Sequence, residues 1–231
     1  MEVIRDFMID ILIKFPTRER KDRFFSTLDI YYNKLSNKHS FHFLISLDSD
    51  DTTMNTEEIK ERLNKYKNLS YYYGDNKNKI EAINKDMDKT PCFFVLLLAS
   101  DDMIPVENGY DDIIITQMKM NYPDGDGVLW FFDGHNANTN TLSIMGQKYY
   151  NKFNYIYHPS YKSLYCDNEF MDVANILKKQ KYINKIIIEH QHHSVGYSDR
   201  CDGLYAKNDK YIDEDMRTYY NRKNINFGVG L

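Results

Sequence analysis

The stretch FFVLLLASDD, residues 93–102, runs seven apolar residues straight into a serine and two aspartates. A strand apolar on both faces belongs in the middle of a sheet covered on both sides. At seven residues the run is far below the roughly 20 needed to cross a bilayer. Upstream, MIDILIKF (8–15) is a second apolar, β-branched strand, stopped by Pro16-Thr17-Arg18. Between Glu19 and Leu35 the residues Phe24, Phe25, Leu28, Tyr31, Tyr32 and Leu35 recur at helical spacing. FHFLISL (41–47) is a strand stopped by Asp48-Ser49-Asp50-Asp51, and a helix with Ile59, Leu63 and Tyr66 on one face covers 56–69. A short strand at 70–73 and a short helix at 78–86 lead back to residue 93. This alternation predicts an α/β fold: a mainly parallel, Rossmann-like central sheet flanked by crossover helices. Ligands of such sheets sit at the carboxyl ends of the strands, and here three strand ends are polar.

Beyond Asp102 the pattern loosens. It predicts a helix over 111–120, a strand over 128–132, a strand or turn over 141–145, a helix over 168–179, a strand over 185–189 and a helix over 209–222. With no repeat, no low-complexity linker and only 5 prolines, residues 1–223 read as one domain, and 224–231, with Gly228 and Gly230, as a flexible tail. The 231 residues carry 34 acidic and 30 basic side chains, a net charge of −4, which gives no support for a phosphate-binding nucleic-acid face. With 42% hydrophobic and 28% charged residues the chain has the composition of a folded domain. Cys92, Cys166 and Cys201 lie too far apart for a Cys-x-x-Cys site, so a reducing, cytoplasmic setting with no membrane span is the expectation. The 20 tyrosines against a single tryptophan are the compositional oddity.

Four clusters carry chemistry. Asp101 and Asp102, adjacent at the end of the most apolar strand, repel each other unless a cation or hydrogen-bond donors sit between them; a divalent metal and a solvated, capping turn both answer this. Asp48, Asp50 and Asp51 begin like a calcium loop, but Thr53 stands where glycine is needed and Ile59 where the bidentate Glu is needed. They read instead as a loop accepting bonds from sugar or base groups, with a solvated loop as the alternative. In Glu189-His190-Gln191-His192-His193, extended backbone points His190 and His192 to one side, toward a shared ion or simply toward solvent. Asp167 and Glu169 open a helix, where they complement its dipole or supply a general base.

Taken in order, these pieces resemble a nucleotide-sugar-dependent glycosyltransferase of the GT-A fold, closest in style to the inverting family 2. MIDILIKFPTRER resembles that family's first strand and nucleotide-contacting loop, ISLDSDDTTMN its second strand with an Asp-rich end, and GDNKNKIEAIN the segment that follows. FFVLLLASDDM is similar to the strand leading into the Asp-x-Asp metal motif, with Ser100 in place of the first Asp and Asp102 keeping the last. WFFDGHNANTNTLSIMGQKYYNKF resembles the acceptor side, SLYCDNEFMDVA the catalytic carboxylate region, and IIIEHQHHSVGYSDRCDGLY the late segment that supplies a histidine ligand in some members.

The resemblance implies Thr17, Arg18, Asp48, Asp50, Asp51, Asn78, Lys79, Ser100 and Asp101 as nucleotide-sugar-binding residues, with Arg18 and Lys79 neutralising phosphate. It implies Asp102, His190 and His192 as ligands of Mn²⁺ or Mg²⁺, and Asp167 or Glu169 as the base. The partners it implies are a nucleoside-diphosphate sugar, a UDP-sugar first, and a glycan acceptor. Tyr149, Tyr150, Tyr155, Tyr157, Tyr161 and Tyr165 crowd the stretch before Asp167, where an acceptor sugar would stack. Three other readings compete: a non-catalytic sugar-binding module of the same fold, kept open by Ser100; a sugar nucleotidyltransferase, disfavoured because the first strand ends in no glycine-rich loop; and a metal-dependent hydrolase.

Overall fold

A computed structural model describes residues 8–192, 197 and 203–230. Strands β1 (Ile9–Thr17), β2 (Phe41–Asp48), β3 (Leu69–Gly74) and β4 (Phe93–Leu98) lie in the order β3-β2-β1-β4, every neighbouring pair parallel. Each connection is a crossover through a helix: α1 (Lys21–Asn33), α2 (Glu57–Leu63) and α3 (Lys79–Asn84). Thr56 and Asn78 cap the last two, accepting from the amides of Ile59 at 3.3 Å and Glu81 at 3.0 Å. Parallel pairing forces the carboxyl ends of β1, β2 and β4 onto one edge, so the three polar clusters read from the sequence become neighbours.

The sheet continues past β4 with β7 (Ile144–Gly146), β6 (Val128–Phe131) and β8 (Gln180–Ile183), giving seven strands in the order β3-β2-β1-β4-β7-β6-β8. β7 is antiparallel to both neighbours, while β6 and β8 are parallel. A separate antiparallel ribbon pairs β5 (Met103–Pro105) with β9 (Ile188–His190). The remaining helices are α4 (Tyr110–Asn121), α5 (Gln147–Tyr150), α6 (Cys166–Ile176), α7 (Gly203–Asp209) and α8 (Ile212–Lys223).

Several late boundaries differ from the sequence reading. Of the strand expected over 185–189 only the end is a strand, within β9, and the polar stretch QKYI, for which no strand was expected, pairs as the sheet edge β8 after Lys178 turns the chain with φ 55°. The helix expected over 209–222 is α8, preceded by a separate helix α7 that ends at Asp209, and β1 runs two residues past Phe15, so Thr17 pairs with Leu47. The stretch 224–231, expected to be a mobile tail, contains a 3₁₀ turn at Asn226–Gly228 whose Phe227 is 5% exposed and lies 5.8 Å, ring to ring, from Tyr219.

Apolar layers cover both faces of the sheet. Phe15, Phe24, Phe25, Tyr31 and Ile114 fill one; Leu12, Leu96, Ile83, Phe170, Val173 and Tyr219 fill the other. Rings meet edge to face, Phe15 with Phe24 at 5.0 Å and Tyr31 with Tyr110 at 5.5 Å. Beyond area burial, such pairs contribute about 1 kcal/mol each. One charge interrupts the apolar layers. Lys14, fully buried in β1, donates to Ser46 Oγ at 2.5 Å and to the carbonyl of Lys85 at 2.8 Å, and Ser46 in turn donates to Asp86 at 2.7 Å. Burial lowers the Lys14 ammonium to a pKa of about 7, with the Asp86 carboxylate opposing the shift.

Between that value and the ordinary 10.5 the unfolded chain holds a proton that the folded chain does not, so Lys14 makes stability rise with pH across this window. The Tm of the wild type should therefore gain on that of Lys14→Met as the pH is raised from about 7 to 9. A constant or shrinking gap would show that the ammonium is not desolvated.

Candidate active site

A cleft of about 890 Å³ opens at the shared carboxyl edge of β1, β2 and β4. At the β1–β2 end, Arg18 donates from Nη1 to Asp48 Oδ2 and to Asp50 Oδ1, both at 2.7 Å, and from Nη2 to Asp50 Oδ2 at 3.1 Å. Asn76 Nδ2 donates to the other Asp48 oxygen at 2.6 Å. The Arg18 charge is thus balanced locally by two carboxylates. Thr17 lines the same end with its hydroxyl buried and without a hydrogen-bond partner. Asp51 points away: its oxygens accept from the amides of Glu19 at 2.7 Å and Thr53 at 3.0 Å and from the Thr53 hydroxyl at 2.7 Å. That carboxylate is spent on the turn and does not line the cleft. Asn78 and Lys79 do line it, where Asn78 caps α3 and Lys79 stands exposed in its first turn.

The floor is the end of β4. Burial pushes the Asp101 carboxyl up to about 6 against the pull of Arg20, whose Nη1 donates to it at 2.9 Å. Asp102 accepts from the Ser100 hydroxyl and faces His190, with Oδ2 3.7 Å from Nε2. The β5–β9 ribbon makes this meeting: Met103 pairs with His190, and the Gln191 amide donates to the Asp102 carbonyl at 2.7 Å. His190 Nδ1 lies 3.7 Å from Asp133 Oδ2, so the imidazole stands between two carboxylates. Burial disfavours its charge, yet the flanking carboxylates of Asp102 and Asp133, each 3.7 Å away, outweigh that and raise it to about 9. Burial likewise opposes ionisation of Asp102 and Asp133, and the same histidine holds both well below the usual carboxylate range.

His192 also lines the cleft, its ring 5.4 Å from that of His190. Among the described residues, no three His, Cys, Asp or Glu side chains are arranged to hold a metal. Asp102 and His190 are the pair in the cleft that could donate to a cation. Neighbouring ligands about 2.1 Å from an octahedral Mg²⁺ stand about 3.0 Å apart, so these donors, 3.7 Å apart, would have to close on such an ion. Its other ligands would come from a bound phosphate, and the imidazole must give up its proton to ligate.

Asp167 and Glu169 separate. Asp167 lines the cleft; burial raises its carboxyl, with the Lys79 charge opposing. Glu169 lies outside, 3% exposed, accepting from Arg222 Nε at 2.7 Å, Arg222 Nη2 at 2.8 Å and the Tyr161 hydroxyl at 2.7 Å. It is a structural ion pair between α6 and α8. Three of the six tyrosines before Asp167, Tyr149, Tyr157 and Tyr161, are buried in the core, and of the six only Tyr157 lines the cleft.

The sequence reading did not single out Asp133. Its carboxylate accepts from the Thr141 hydroxyl at 2.6 Å and from the amides of His135 at 2.9 Å and Asn136 at 2.7 Å. The signal was an Asp-Gly step right after strand VLWF, with Gly134 at φ 95° turning the chain. Asn76 and the α7 lysine Lys207, which bonds Glu19 at 2.6 Å, were also missed.

No protein-family model and no curated protein sequence matches this chain. Solved structures do match. The mannosyltransferase PcManGT from Pyrobaculum calidifontis, in complex with GDP-Man and Mn²⁺, aligns with a TM-score of 0.61 at 10% identity, over 84% of this chain and 60% of that one. Residues 1–349 of S. aureus TarS in complex with UDP-GlcNAc align with a TM-score of 0.61 at 13% identity, over 84% and 61%. The complex of the same TarS fragment with UDP gives 0.60 at 14% identity, over 78% and 60%. The chain therefore has the GT-A-like glycosyltransferase fold, and it spans about three fifths of the length of these neighbours.

Arg222→Ala strands a buried carboxylate and should cost about 3 kcal/mol or more, a Tm fall of roughly 6 °C or more, whereas Asp167→Asn should shift Tm by less than about 2 °C. Equal Tm losses would refute the division of roles between Asp167 and Glu169.

Proposed function

We propose that the chain moves a sugar from a nucleoside-diphosphate sugar to a hydroxyl of a glycan acceptor, with inversion at the anomeric carbon. The observation that carries this reading is the gathering of Asp48, Lys79, the Asp102–His190 pair and Asp167 around one cleft at the carboxyl ends of parallel strands. The bound GDP-Man and UDP-GlcNAc of the two neighbours, and the Mn²⁺ of PcManGT, support it.

Asp48 and Asn76, with Arg18 holding the carboxylate in place, offer acceptors and donors to the nucleoside. Lys79, whose charge is not consumed by Asp48 and Asp50 as that of Arg18 is, faces the diphosphate. Asp102 and His190 would hold the divalent cation. When bound, that ion stabilises the charge that builds on the departing nucleoside diphosphate. Asp167 takes the proton of the acceptor hydroxyl as its oxygen bonds to the anomeric carbon and the bond to the donor phosphate breaks. Its raised carboxyl suits it to this, since a base is stronger when its ordinary pKa is lifted. Among the described residues no helix is long and apolar enough to cross a membrane.

A thermal-shift screen of UDP-, GDP- and TDP-sugars with and without Mn²⁺ tests the donor. At a hundred times its Kd a ligand adds about 2.7 kcal/mol, which in a chain of this size raises Tm by roughly 5–10 °C. No shift with any of them sinks the reading, and binding without sugar release favours the non-catalytic module. Asp102→Ala and Asp167→Asn should each lower kcat by about 10²-fold or more while the protein stays folded; full activity in either removes that residue from the mechanism.

A further inference from the structure

Helix α8 carries a buried carboxylate that the proposed chemistry does not use. Asp215 is 0% exposed, and its two oxygens accept three consecutive backbone amides: Lys162 N on Oδ1 at 2.8 Å, and Ser163 N and Leu164 N on Oδ2 at 2.8 Å each. Three charge-assisted bonds on one carboxylate are a strong local constraint. The segment they grip lies outside any helix or strand and has no ladder of its own to fix it. One residue further on, Tyr165 takes φ 58°, α6 begins at Cys166, and Asp167 follows. The other side of the segment touches the donor end, where the Lys162 carbonyl accepts from the Ile80 amide of α3 at 3.4 Å. Asp215 is 48 residues from Asp167 in sequence yet holds the turn from which that carboxylate projects.

Further ties seat α8 on α6. The Tyr219 hydroxyl donates to Asp172 at 2.7 Å, and Arg222 pairs with Glu169 at 2.7 Å. These bonds fix the helices against each other, whereas the Asp215 bonds reach past α6 into the loop before it.

We infer that Asp215 is a positioning residue, which holds the 162–164 turn so that Asp167 meets the acceptor hydroxyl at the correct place in the cleft. This rests on the transferase reading given above. The clamp acts on proton removal more than on donor capture, because Asp48 and Asp102 sit on other elements and only the long 3.4 Å bond from Ile80 ties the turn to the helix that carries Lys79.

The test uses the full chain. In wild-type hydrogen exchange the amides of 162–164 are protected although they lie in a loop, and fast exchange there overturns the clamp without any variant. Asp215→Asn keeps the volume but turns one acceptor into a donor facing amides. It should speed exchange of 162–164 by about tenfold or more while β1 and β4 keep their protection. In the same variant kcat should fall roughly 10- to 100-fold, with the Kd for the nucleoside diphosphate that the wild type binds changed less than about twofold. Tyr219→Phe, which loosens α8 from α6 without touching the turn, should leave kcat near wild type. Unchanged kcat in Asp215→Asn, or a loss of kcat matched by an equal loss of nucleotide affinity, overturns the inference. A wild-type chain that binds nucleotide sugars without turnover sinks the transferase reading itself and the catalytic part of this one with it, whereas an active wild type with an active Asp215→Asn sinks the clamp alone.

Discussion

Everything in the site depends on the parallel pairing of β1 with β2 on one side and β4 on the other. Parallel strands cannot be joined by tight turns, so each return passes through a helix on a face of the sheet, and all three chain exits fall on one edge. At that edge the backbone runs out of ladder partners, and the side chains that follow must be polar and locally satisfied. Arg18 meets Asp48 and Asp50 there because two exits are adjacent, and Arg20 meets Asp101 because a third is. The carboxylates gathered at this edge would repel one another, and the arginines are what let them stand together.

This explains why part of the site was legible in the sequence. A strand end carries its own signature: an apolar run that stops at charged residues. Thr17, Asp48, Ser100 and Asp102 stand at strand ends that could be found from their immediate neighbours alone. The fold class followed from the same runs, since their alternation with amphipathic helices leaves few topologies. What could not be read was pairing between distant segments. β5 and β9 are three residues each, too short for a periodic signal, yet their register places His190 on Asp102. β8 was lost because a polar edge strand looks like a turn. Asp133 reaches His190 only through β6 and the Gly134 bend, and nothing near it in sequence announces a partner 57 residues on.

His190 shows how such a meeting changes chemistry. Alone at a strand end it is an ordinary imidazole with a pKa near neutrality. Buried between Asp102 and Asp133 it becomes a cation that two carboxylates hold in place, and each of them stays ionised because of it. The niche between the two carboxylates thus suits a positive charge, and the imidazolium supplies it.

Asp167 and Glu169 make the same point within one turn of helix. Two residues apart, they are rotated by about 200° around the axis of α6, so they cannot face the same surroundings. The sheet fixes which side of α6 meets the cleft, and α8 covers the other. Glu169 therefore turns toward Arg222 and Tyr161, where a buried carboxylate survives only if paired, and Asp167 turns toward open space and Lys79. The sequence offers two equivalent acids. Their environments make Glu169 a strut held by Arg222 and leave Asp167 facing the cleft beside Lys79.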